Sequence, residues 1–68
     1  MTREEWLKEF ARRLDVEAPT EGEAEELLAL AAEAAHSSER AAAPLACWMA
    51  ARSPRALPEI LELARGIA

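Results

Sequence analysis

A single cysteine, Cys47, in 68 residues leaves this chain without the covalent staples on which many small folds rely. No internal disulfide can form, and one Cys with one His, His36, cannot assemble a metal cluster. A domain this close to the lower size limit for independent folding must be held by side-chain packing, alone or with a partner subunit. Although 51% of the residues are hydrophobic, 17 of the 68 are alanine, so large core-forming side chains are few. Stability therefore has to come from helix packing.

The periodicity bears this out and predicts four helices. Thr2 and Glu5 fit a capping box, in which hydroxyl and carboxylate each satisfy an orphan backbone N–H. Trp6, Leu7, Phe10, Ala11 and Leu14 then recur at three- and four-residue spacing and share one face. Pro19 disfavours helix in the residue before it, so Asp15 to Pro19 reads as a connector. Thr20 and Glu23 repeat the capping box and open a second helix, roughly Glu21 to Ala35. Its apolar face is Ala24, Leu27, Leu28, Ala31, Ala34 and Ala35. Glu21, Glu23, Glu25 and Glu26 crowd its first turns, where they complement the helix dipole. Pro44 suits the first turn of a third helix, because its missing N–H costs nothing there. Leu45, Trp48 and Met49 form that helix's apolar stripe, and Trp48 is expected in the core. Ser53-Pro54 reads as the opening of a fourth helix whose regular part begins near Leu57. Leu57, Ile60, Leu61, Ala64 and Ile67 supply its buried face, and Gly66 ends it. The expected fold is an all-α, compact bundle of four short helices forming one domain over residues 1–68.

Charge narrows the range of functions. The net charge is −5, and it is uneven: residues 1–34 carry ten acids against four bases, residues 35–68 three against four. From Asp15 to Glu33 there are seven acids and no base. Such a surface repels phosphate backbones and anionic lipid, so neither nucleic acid nor membrane is expected as a partner. No apolar run approaches the roughly 18 residues of a bilayer span. Met1-Thr2-Arg3-Glu4-Glu5 lacks the basic start and apolar core of a signal peptide, so a cytoplasmic location is expected.

Chemistry-bearing residues concentrate in one joint, from His36 through Ser37, Ser38 and Glu39 to Arg40. His36, Ser38 and Arg40 are the candidate ligand or partner contacts. As an anion site they would hold a phosphate or carboxylate at the entry to the third helix. As structure, His36 would favour the second helix's negative end while Ser38 or Arg40 orders the connector. Trp6, near the start of a terminal helix, is the candidate interface residue for a partner or a homodimer. Cys47 lies in an alanine-rich helix with no flanking base, the setting of an inert packing thiol. There is no glycine-rich phosphate loop, nucleophile elbow or paired-ligand helix motif. The expectation is a protein that is not an enzyme and needs no cofactor or metal.

The pattern Glu5-Trp6-Leu7, then Leu30-Ala31-x-x-Ala34-Ala35-His36, then Arg40 followed by Ala42-Ala43-Pro44-Leu45, resembles a small helical domain of high-GC bacteria. That domain occurs alone and appended to molybdenum-cofactor guanylyltransferases. The resemblance covers nearly the whole chain, and its specific part is the block from His36 to Leu45. The family usually carries proline after the arginine, where this chain has Ala41. No catalytic residues come with the resemblance. It implies an accessory role in molybdenum-cofactor biosynthesis, with a molybdenum-cofactor nucleotidyltransferase or its client as protein partner. The alternatives from the residues are a small anion- or nucleotide-binding module built on the His36–Arg40 joint, and a structural homodimer.

Overall fold

The computed structural model describes residues 1–67. Four helices follow in order: α1 Arg3–Leu14, α2 Glu21–Ser37, α3 Ala42–Arg52 and α4 Leu57–Arg65. No strand occurs among the described residues, and the fold is all-α as the periodicity requires.

Both capping boxes form. The Glu5 N–H donates to Thr2 Oγ1 at 3.1 Å while the Thr2 N–H donates to Glu5 Oε1 at 2.7 Å. Thr20 and Glu23 make the same exchange at 3.1 and 2.8 Å. Each box satisfies two donors that a bare helix start would leave to water. The end of α1 is closed by Asp15 at φ 58°, the one described non-glycine residue in the left-handed region. That bend lets the Val16 N–H reach the Ala11 carbonyl at 3.0 Å and the Asp15 N–H reach that of Arg12 at 3.3 Å. This is a Schellman closure with aspartate in the position that glycine usually fills.

One further helix start follows expectation and one differs from it. Pro44 lies in the first turn of α3, as its missing donor demands, but the helix begins two residues earlier, at Ala42. Ser53 does not open α4. It ends α3, and its Oγ accepts the Arg55 N–H at 3.2 Å, bending the chain into a turn. The regular part of α4 begins at Leu57, as read from the sequence, with Pro58 in its first turn.

α2 is the spine, and both α3 and α4 pack along it. No comparably extensive contact joins α1 to another helix. The buried hydrophobic residues are Ala11, Leu30 and Ala50, and no described side chain is sealed completely from solvent. In α3 the side facing α2 is made of small residues: Ala42, Ala43, Ala46, Cys47 and Ala50 are buried or half-buried. Small side chains let two helix axes approach toward the short end of the usual range, about 8 Å. The Cys47 thiol lies 3.9 Å from the Leu27 carbonyl oxygen, inside that seam.

The expected core is corrected at several points. Leu45, Trp48 and Met49 do not face α2; they are 65%, 62% and 66% exposed. The alanine face takes the place against α2, since small side chains let the two helices come close. On α2, Leu28 is exposed and Leu30 takes the buried position. On α1, Leu7 is half-buried and Ala11 buried, while Phe10 and Leu14 point away with Trp6. On α4, Leu57, Ile60, Leu61 and Ala64 are half-buried, but Ile67 lies past the helix end and is exposed.

The molecule measures 37 × 24 × 18 Å. It presents 5633 Å² of accessible surface. A folded monomer of this mass ordinarily presents about 4,200 Å².

Candidate functional site

The joint between α2 and α3 is the first candidate. His36 stands exposed in the last turn of α2, at the negative end of the helix dipole. The hydroxyls beside it serve the helix end. Ser37 Oγ donates to the Glu33 carbonyl at 2.7 Å and Ser38 Oγ to that of Ala34 at 3.0 Å. The Ser38 N–H also donates to the Ala34 carbonyl, at 3.2 Å. Ser38 therefore spends both its donors on one orphan carbonyl, and only its lone pairs remain for a ligand. Arg40 stands in the turn that follows, where its carbonyl accepts the Ala43 N–H at 3.1 Å. Among the described residues no hydrogen bond or ion pair joins His36, Ser38 and Arg40 to one another. They share an exposed joint, and no enclosed cradle is built from them.

A second site lies on the outward side of α3. Leu45, Trp48, Met49 and Arg52 are spaced as one helix side, and all four are exposed. The Arg52 guanidinium sits over the Trp48 ring at 4.7 Å, a cation–π contact that orders both side chains. From the sequence alone, Leu, Trp and Met at that spacing read as core, which hides this face. The signal that could have found it is the run of small residues on the opposite side.

A third feature is the outward stripe of α1. Trp6 and Phe10 stack with ring centroids 4.9 Å apart and planes tilted by 35°. With Met1, Glu9 and Arg13 they line a shallow groove. Trp6 is 53% exposed, so the interface residue nominated from the sequence is accessible. Beside the stripe, Glu9 bonds Arg12 at 2.8 Å and Arg13 at 3.3 Å. Those two guanidinium groups, Arg12 first, hold the Glu9 carboxyl below the usual carboxylate range, and Glu9 raises Arg12 in return.

Among the described residues no three of His, Cys, Asp and Glu gather as a metal-binding group. No described helix is long and apolar enough to cross a membrane.

The family described as "Domain of unknown function (DUF6457)" matches residues 1–68, and the chain belongs to that family. No curated protein and no solved structure matches.

Proposed function

We propose that this family member is a non-enzymatic accessory domain that works by binding another protein. The observation that carries the reading is that α3 is inside out: its alanines face α2 and its leucine, tryptophan and methionine face solvent. Large apolar side chains left in water forgo roughly 1.5–3 kcal/mol each of burial, which a partner would recover. Contiguous patches of this kind mark interaction surfaces in soluble proteins. Trp6 and Phe10 on α1 add a second aromatic anchor of the type that dominates binding energy at interfaces.

The partner is proposed from the sequence resemblance. A domain that resembles an appendage of molybdenum-cofactor guanylyltransferases suits a role beside a molybdenum-cofactor nucleotidyltransferase, in the cytoplasm. The test is calorimetric titration of such an enzyme with the domain, repeated with Trp48→Glu and with Trp6→Glu. Binding is expected for wild type and at least a tenfold loss with Trp48→Glu. Undiminished binding by both variants, or none by wild type, rejects the reading.

A second reading has its own support in Arg40, which has no carboxylate within 4.0 Å among the described residues. With His36 and the Ser38 lone pairs it would hold an anionic group such as a nucleotide phosphate. Titration with guanine nucleotides, followed by NMR at His36, tests it. Arg40→Lys keeps the charge but loses the planar fork, and should abolish such binding. A structural homodimer through Trp6 is the third reading, and sedimentation of wild type at high concentration tests it.

A further inference from the structure

We infer that the outward face of α3 seats an acidic amphipathic helix of a partner protein. The inference rests on the interaction reading above and adds the chemistry of the partner. Leu45, Trp48, Met49 and Arg52 stand at i, i+3, i+4 and i+7 along an 11-residue helix, so their side chains form one continuous stripe. A stripe of that length and spacing is what a second helix needs for ridges-into-grooves packing. Helical partners read such surfaces through anchors at the same i, i+3, i+4, i+7 spacing.

Charge selects among helices. From Arg40 to Pro58 the chain has three arginines and no acid, with Glu39 just before that stretch, although the whole chain carries −5. Arg55 is paired with Glu59 at 2.9 Å. Arg40 and Arg52 have no carboxylate within 4.0 Å among the described residues. Arg40 stands in the turn entering α3, next to Glu39. Arg52 stands at the last residue of the helix and on the stripe itself, so the uncompensated guanidinium of the stripe is that of Arg52. Arg52 is held in place by the Trp48 ring, which lowers the entropy cost of using its remaining donors. A helix with an apolar seam and Asp or Glu at its flank would meet the Arg52 donors with carboxylates. A basic helix would set like charges against them, which disfavours the wrong partner. A second copy pairing α3 with α3 would bring a second Arg52 and no carboxylate from that helix, adding repulsion instead of cancelling it.

The test is a display library of amphipathic helices whose seam is fixed as leucine and whose flanking positions are randomised among Glu, Gln and Lys. Selected against the 68-residue domain, Glu should enrich at least tenfold over Lys. In the Arg40→Glu/Arg52→Glu variant, folded by circular dichroism, the preference should invert. Trp48→Glu should lose the binders altogether. Absence of binders, equal use of Glu and Lys, or enrichment that ignores Arg40 and Arg52 overturns the inference. So does sedimentation equilibrium showing a dimer that Trp48→Glu dissociates, because a second copy would then cover the face. If a nucleotidyltransferase binds through Trp48 while the library shows no charge preference, the partner chemistry fails and the interaction function stands.

Discussion

Leu30 and Trp48 exchange the roles that their sizes suggest. Leu30, 4% exposed in the middle of α2, touches the seam between helices, so Leu30→Ala leaves a void where there is little core to begin with. Such truncations cost about 2–5 kcal/mol, close to the whole stability of a domain this small. Leu30→Ala should therefore abolish the cooperative thermal transition. Trp48, 62% exposed, carries the Arg52 guanidinium on its ring, and Trp48→Ala should move the melting midpoint little. Calorimetry on the two variants checks both statements, and a large loss with Trp48→Ala would mean that the ring is buried in solution.

At the scale of the helix, the two capping boxes look alike but guard different things. Thr20 starts the spine on which α3 and α4 pack, so Thr20→Ala should lower global stability by about 1 kcal/mol in urea denaturation. Thr2 starts the helix with the least tertiary contact, so Thr2→Ala should fray α1 and leave the global midpoint nearly fixed. The first box also responds to acid. The Thr2 N–H, and then its hydroxyl, hold the Glu5 carboxyl below the usual range. A folded-state value below the unfolded one gives stability that is complete above the ordinary glutamate value of about 4.3. It is lost as pH falls through the lowered value. Glu4 and Glu9 shift in the same direction, Glu4 through a backbone N–H and Arg3, so all three loosen α1 on the acid side. NMR amide exchange in α1 should accelerate below about pH 4, relative to α2, once normalised for intrinsic rates. Helix starts were legible in the sequence wherever a side chain makes them: Thr2, Thr20 and the Pro44 turn all speak through their own hydrogen-bonding needs. Facing was not legible in α3. Periodicity reports that a helix has an apolar side, but Ala42, Ala43, Ala46 and Ala50 make a second apolar side opposite Leu45, Trp48 and Met49. Which one turns inward is decided by how close α2 can come, a quantity absent from the residue pattern. The joint residues His36, Ser38 and Arg40 were legible as a cluster of polar groups. That Ser38 would spend its donors on the Ala34 carbonyl depended on where α2 ends, two residues later than the periodicity suggested.

Over the whole molecule, the surface exceeds the ordinary value for this mass by roughly 1,400 Å². That is more than the roughly 800 Å² which one partner gives to a standard interface. A chain that keeps so much surface wet should open in parts rather than all at once. Native-state hydrogen exchange is expected to rank the central turns of α2 slowest and α1 fastest, with α3 between them. Equal protection across all four helices would contradict the arrangement in which only α2 is covered from two sides. The seam between α2 and α3 also contains its own clock. The sulfur of Cys47 lies between the two helices, on the side away from Trp48, and reaches bulk solvent fully only when α3 lifts from the spine. Its reaction with a small disulfide reagent therefore includes a count of those departures, above the rate that the half-buried sulfur gives in place. A ligand seated on the far side of α3 would never touch the sulfur, yet it would slow the count.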